Sequence, residues 1–137
     1  MTSLRTLRLW GDAMFKINED KSIYLTRGDH VSFTLTANDN GEAHTFRQGD
    51  LVRFKVFEKK NCDNVVLKHD VRVSYDTQEV EIALNGEETK IGGEINKPTD
   101  YWYEVEVNPE IQPNTIIGYD EDGAKVFRLY PEGGDLN

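Results

Sequence analysis

Residues 101–107 read Tyr-Trp-Tyr-Glu-Val-Glu-Val, and this stretch decides the fold. An aromatic or apolar side chain stands at every second position, whereas Trp102, Glu104 and Glu106 occupy the positions between them. Since successive side chains of a β-strand point to opposite faces, this period of two predicts a strand with one face in a core.

The same period of two recurs along most of the chain. It is found at residues 31–35, 52–56, 71–75 and 80–84. Shorter apolar runs predict further strands at residues 14–17, 23–25, 65–67, 116–119 and 126–130. Helical spacing is almost absent, because only residues 86–91 are able to form a single turn. The pattern therefore predicts an all-β chain.

Turn-forming residues separate the predicted strands at short intervals. They are Asn38-Asp-Asn-Gly41, Asn85-Gly86, Gly92-Gly93 and Asp120-Glu-Asp-Gly123. The last of these predicts a closing hairpin between residues 116–119 and 125–129. Many short strands with such spacing favour a β-sandwich or a small barrel. We expect one domain over residues 14–131, with an N-terminal arm at 1–13 and a flexible tail at 132–137.

Composition excludes several classes of function. The 137 residues carry 25 acidic side chains against 16 Lys and Arg, a formal net charge of -9, which argues against a nucleic-acid partner. No apolar run approaches the roughly 18 residues of a membrane-spanning helix, and the first residues do not have the pattern of a secretory signal peptide. We therefore expect neither a membrane partner nor secretion by a signal peptide. Cys62 is the single cysteine, so no internal disulfide is possible.

No motif in the chain demands catalysis, a metal or a cofactor, and we expect none of the three. Glu104 and Glu106 would lie roughly 7 Å apart on one strand face, and paired acids near that spacing can hydrolyse glycosides. A solvated sheet face is the better interpretation in so short a chain. The three histidines show no metal-binding spacing, and the acidic loops do not continue as EF-hand loops. Arg27-Gly28-Asp29 spells the integrin-binding tripeptide, but turn chemistry explains its Gly-Asp pair.

Trp102 is the most informative candidate for an interface. Strand parity points it outward with Glu104 and Glu106, which marks either a contact site or a second layer packed under another chain segment. The N-terminal arm carries Arg5, Arg8 and Trp10 and could cover this face, on its own domain or on a neighbouring subunit. The candidate interface comprises Trp102, Glu104, Glu106, Arg5, Arg8 and Trp10.

The charge distribution agrees with this interface. Residues 76–110 carry ten acids against two bases, whereas residues 1–27 carry five bases against three acids. A basic partner, or the arm of a neighbouring subunit, is therefore expected to dock around Trp102.

The order of motifs resembles a known family. The motifs are Ile23-Tyr-Leu-Thr-Arg-Gly-Asp-His-Val-Ser-Phe33, a charged strand at 51–58, a strand at 79–84, Gly92-Gly93 and Tyr101-Trp-Tyr-Glu-Val105. Over residues 22–130 this order resembles the immunoglobulin-like domains of bacteriophage and prophage tail proteins, in particular the N-terminal domain of baseplate upper proteins.

The resemblance implies an immunoglobulin-like antiparallel β-sandwich without catalytic activity. Its expected partners are other virion proteins or further copies of itself, in the virion or in the bacterial host cytoplasm during assembly. An immunoglobulin-like fold also suggests a tyrosine corner, in which Tyr101 or Tyr103 bonds to the connection at 87–95.

A carbohydrate-binding module is the alternative function. In that interpretation Trp102 and the neighbouring tyrosines form a stacking platform for a glycan, and Glu104 and Glu106 accept hydrogen bonds from its hydroxyl groups.

Overall fold

The computed structural model describes residues 2–6, 15–39, 41–61, 63–112, 114–118 and 123–132. Its strands are β1 (Thr2–Thr6), β2 (Phe15–Ile17), β3 (Ile23–Thr26), β4 (Val31–Asp39), β5 (Glu42–Ala43), β6 (Leu51–Phe57), β7 (Val65–Arg72), β8 (Val80–Leu84), β9 (Thr99–Val107), β10 (Asn114–Ile117) and β11 (Lys125–Tyr130). The predicted all-β character is confirmed over this part of the chain. None of the described residues belongs to a helix of the length and apolarity needed to cross a membrane.

The strands form two sheets. In the first sheet β1 and β8 lie on either side of β4, and β5 pairs with the end of β4. The second sheet has the order β2-β3-β11-β9-β6-β7, with β10 also beside β9. Every pair is antiparallel except β3 with β11, which is parallel. The inner faces of the two sheets pack together as a β-sandwich.

The core joins the sheets through aromatic contacts. Phe54 of β6 meets Phe33 of β4 edge-on, with the ring centres 5.8 Å apart. Within the second sheet Phe54 stacks on Tyr103 at 5.2 Å and meets Phe127 edge-on at 5.9 Å. All four rings are buried. Such pairs contribute about 0.5–1.5 kcal/mol each beyond the area that they bury, so Phe54 links β6 with β4, β9 and β11 in one core.

The predicted hairpin at residues 120–123 is wrong. Both β10 and β11 run antiparallel to β9, with Asn114 opposite Val107 and Lys125 opposite Tyr103. They therefore follow one another in the same direction along one side of β9, whose nine residues are enough to pair with both. The chain reverses earlier, where the N–H groups of residues 111 and 112 bond to the carbonyl of Asn108.

A second difference concerns residues 65–75, where the two predicted strands are one. The strand β7 runs without a break from Val65 to Arg72. Val73 is still buried and exchanges backbone hydrogen bonds with Gly49 and Asp50, but Tyr75 is 67% exposed. The sequence alternation continues to Tyr75, but the strand ends at Arg72, before the chain turns toward β8.

The predicted tyrosine corner is also wrong for Tyr103. Its hydroxyl donates to the carbonyl of Lys21 at 2.5 Å, far from the connection at 87–95. Lys21 has a positive φ of 72°, so this bond holds a turn in a conformation that few side chains favour. Burial raises the pKa of Tyr103, which keeps the hydroxyl protonated and able to donate. The Tyr101 hydroxyl lies against Gly92, where an added Cβ would come within 2.8 Å of it.

The substitution Tyr103→Phe should destabilise the fold by about 1–3 kcal/mol, because it leaves the Lys21 carbonyl without its donor. The matched control is Tyr75→Phe, which removes the same hydroxyl from a side chain that is 67% exposed. Urea unfolding of both variants measures the difference. Equal stabilities for the two variants would contradict a structural role of the Tyr103 bond.

Candidate functional site

The candidate residues on β9 lie on the outward face of the second sheet, as parity predicts. Tyr101, Tyr103, Val105 and Val107 are buried against the core, whereas Trp102, Glu104 and Glu106 point the other way. The neighbouring β6 places Arg53 opposite Glu106, Lys55 opposite Glu104 and Phe57 opposite Trp102. We call these six outward side chains of β6 and β9 the β6–β9 face.

Lys55 forms ion pairs with both glutamates of this face. Its Nζ lies 2.8 Å from Oε1 of Glu106 and 3.3 Å from Oε1 of Glu104. All three side chains are largely buried, with 14–21% of each exposed. Burial by itself would lower the pKa of Lys55, but the contacts with Glu106 and Glu104 outweigh it and raise that pKa. The paired acids are thus part of an ion cluster and are not a free carboxylate pair.

A second ion cluster lies beside the first. Arg53 donates from Nε and Nη2 to the two carboxylate oxygens of Asp70 on β7, at 2.8 and 3.0 Å. A carboxylate oxygen of Glu110 lies 3.7 Å from Arg53 Nη2. The bond to Asp70 raises the pKa of Arg53, and the same bond lowers the pKa of Asp70. Opposite charges therefore alternate in the row of Asp70, Arg53 and Glu106 across three neighbouring strands, which stabilises their register.

Trp102 lies at the apolar end of the β6–β9 face and is partly buried. Phe57, opposite it, is 3% exposed, and the Lys55 ammonium lies 5.5 Å from the centre of the Phe57 ring. The predicted platform of Trp102 with neighbouring tyrosines is wrong, because Tyr101 and Tyr103 face the core.

The basic half of the predicted interface is only partly described. Residues 2–6, including Arg5, form β1 and pair with β4 in the first sheet, whereas Trp102 belongs to the second. Arg8 and Trp10 lie outside the described residues. Docking of the arm on Trp102 therefore stays a prediction.

Three loops meet at one end of the sandwich. They are residues 44–50 before β6, residues 73–79 before β8 and residues 108–112 after β9, and we call them the loop end. Asn108 joins two of them, because its Oδ1 accepts the Leu51 N–H at 2.9 Å and its Nδ2 donates to Asp50 at 3.1 Å. Asp76 of the loop at 73–79 accepts a hydrogen bond from the Gln48 N–H at 2.9 Å, which joins this loop to the loop at 44–50.

The loop end displays exposed apolar side chains and a polar groove. Ile111 is 85% exposed and Tyr75 is 67% exposed, more than any other large apolar side chain that the structure describes. A groove of about 690 Å³ opens nearby. It is lined by Thr36, Ala37, Asn38, Ala43, Thr45, Asp76, Thr77, Gln78 and Glu79. The alternation of the strands does not indicate the exposed side chains of Tyr75 and Ile111, since both residues lie in turns.

The remaining sequence motifs have structural roles or fall outside the described residues. Arg27 is buried, and its guanidinium donates to the carbonyls of Ile91 and Gly92 at 3.1 and 2.9 Å, so the integrin tripeptide is not displayed. His69 lies 2.5 Å from Glu88. Among the described residues no group of three or more metal-binding side chains was found. Cys62 lies outside them.

In comparisons with known proteins, no family model, no curated protein and no solved structure matches the chain. What the chain does is therefore inferred from the β6–β9 face, the loop end and the resemblance of its motifs.

Replacing Lys55 by Met should destabilise the protein by about 3 kcal/mol at pH 7, because Glu104 and Glu106 then remain largely buried without a cation. Urea unfolding at pH 7 measures the loss, with Lys97→Met on the exposed surface as the control. A loss that is the same for both variants would show that the cluster does not stabilise the fold.

Proposed function

We propose that the chain is a non-catalytic, immunoglobulin-like module of phage or prophage origin that works through protein–protein contacts at its loop end. Its partners are other virion proteins or copies of itself, in the virion or in the bacterial host cytoplasm during assembly. The observation that carries the proposal is the pair of exposed apolar side chains, Ile111 and Tyr75, on loops fixed by Asn108 and Asp76.

The strand pairing supports the immunoglobulin-like part of the proposal. In such sandwiches the strands A, B and E share one sheet, and the strands C, F and G share the other, with C′ added beside C in variable domains. The first sheet here places β4 between β1 and β8, which fits B between A and E. The order β11-β9-β6-β7 in the second sheet fits G-F-C-C′. The phage or prophage origin is supported by the resemblance of the motifs alone.

The loop end suits recognition of a protein. Loops at one end of an immunoglobulin-like sandwich form the binding surface of antibody variable domains. Here the hydrogen bonds of Asn108 and Asp76 hold the loops in place before binding, so less conformational entropy is lost when a partner docks. Exposed Tyr and Ile side chains on fixed loops provide apolar area for a partner to bury.

The β6–β9 face supports a role without catalysis. A pair of carboxylates that works as acid and nucleophile must be free to reach a substrate. Glu104 and Glu106 instead hold Lys55 between them and are 18% and 14% exposed. The arrangement stabilises two neighbouring strands, which is a structural task.

The proposal is tested on tailed particles purified from the bacterial strain that encodes the chain. Mass spectrometry should find the chain in these particles at a fixed ratio to the tail proteins. Purified particles that contain none of the chain would contradict the phage role.

The double variant Tyr75→Ser, Ile111→Ser tests the loop end itself. Both side chains are exposed, so its melting temperature should stay that of the wild type while its amount in the particles falls at least about tenfold. The control Val65→Ser changes an apolar side chain that is 48% exposed and lies at the opposite end of the second sheet. Equal incorporation of the wild type and both variants would contradict binding through the loop end.

A carbohydrate-binding module is the second candidate, favoured by the polar groove at the loop end. Hydroxyl, amide and carboxylate groups line this groove, and such groups can bond to sugar hydroxyls. Isothermal titration calorimetry of the chain against a glycan panel tests this candidate. Saturable binding of one glycan by a monomeric chain would favour it over the protein-binding role.

A further inference from the structure

The strand β7 forms an open edge of the second sheet. Among the described strands it pairs with β6 alone, and its eight residues make it longer than β1, β2 and β8 at the other edges. An unpaired edge presents backbone donors and acceptors to any strand that can align with it.

Two apolar side chains of β7 are left half-covered at this edge. Leu67 and Val71 point inward and pack against the core, but both remain partly exposed because no described strand lies beyond them. A further strand with apolar side chains at matching positions would complete their burial.

The outward side chains of β7 carry charges that are not fully matched within the chain. Lys68 stands opposite Lys55 of β6, and no carboxylate of the described residues forms an ion pair with it. Asp70 binds Arg53, yet 34% of its side chain remains exposed. The edge therefore offers a cation and an anion two residues apart.

We propose that β7 pairs with β7 of a second copy of this chain, antiparallel and about a two-fold axis that passes through His69. In this register Lys68 of each copy lies opposite Asp70 of the other, and Leu67 lies opposite Val71. Val66 comes opposite Arg72. Both mismatches of the isolated edge are thereby resolved, since the free cation gains an anion and the half-covered apolar side chains gain neighbours.

Neighbouring registers do not fit. In an antiparallel pair, side chains that lie opposite one another point to the same face of the sheet. If the outward face of both copies is to stay the same, the pair can shift only so that the two-fold axis passes through a different residue of β7. The next register on one side puts Lys68 opposite Lys68 of the other copy, and the next on the other side puts Asp70 opposite Asp70. Like charges directly opposite one another are destabilising. The register through His69 also pairs the strand along nearly its whole length.

This inference rests on the proposed function in one respect, that the chain works through protein contacts, and it names one such partner. The proposed pairing is centred on His69, whereas β7 meets the loop end only at Arg72, which donates to the Gly49 carbonyl at 2.9 Å. A chain that binds tail proteins but never dimerises would therefore overturn the pairing and leave the proposed function standing.

The test is analytical ultracentrifugation of Lys68→Asp and Asp70→Lys, each alone and mixed. The wild type should form a concentration-dependent dimer. Each variant alone places like charges opposite one another twice and should weaken the dimer at least about tenfold. A mixture of the two variants restores both opposite-charge pairs, so a heterodimer should form. Lys97→Asp, a charge change away from β7, serves as the control and should dimerise like the wild type.

Cysteine cross-linking gives a second measurement that does not depend on the Arg53–Asp70 bond. In a Cys62→Ser background, His69→Cys should form a disulfide-linked dimer under mild oxidation, because residue 69 faces its own copy. Lys68→Cys should not, since residue 68 faces residue 70. A wild type that stays monomeric at millimolar concentration, a dimer indifferent to both charge changes, or cross-linking at 68 in place of 69 would each overturn the proposal.

Discussion

The structure depends on the alternation of side chains along β9. One face of this strand supplies Tyr101, Tyr103, Val105 and Val107 to the core, and the other supplies Trp102, Glu104 and Glu106 to the β6–β9 face. Because β9 pairs with β6 on one side and with β10 and β11 on the other, it sets the register of the strands around it. A shift of β9 by one residue would place Glu104 and Glu106 in the core and turn its apolar side chains outward.

Charge pairing on the outward face reinforces this register. Lys55 binds Glu104 and Glu106, and Arg53 binds Asp70, so each cation of β6 is matched on a neighbouring strand. The face is thus occupied by contacts within the chain, with Trp102 at its apolar end. This separates the part of the molecule that stabilises the sheet from the loop end and the β7 edge, where Tyr75, Ile111 and Lys68 are exposed.

Much of the strand content could be predicted from the sequence, because burial of one strand face leaves a period of two that needs no partner to be recognised. Strand pairing could not be predicted in the same way. The turn residues at 120–123 resemble a hairpin locally, but whether two runs pair depends on the long strand β9, to which both β10 and β11 are bound. The alternation within Val65–Arg72 is weak and predicts two strands, whereas pairing with β6 makes this segment one continuous strand.

The candidate site, like the fold, could be predicted only where it depends on alternation within one strand. Parity correctly placed Trp102, Glu104 and Glu106 together on the outer face, but the role of Lys55 depends on cross-strand register, which is not a local property. The exposed Tyr75 and Ile111 lie in turns, where alternation carries no information about burial.

Hydrogen–deuterium exchange of the chain, free and bound to isolated tail proteins, tests the central claim most directly. If the loop end is the contact surface, binding should slow exchange at residues 73–79 and 108–112 and leave the already protected amides of β9 unchanged. Slowed exchange confined to other segments, with the loop end exchanging as in the free chain, would contradict this account.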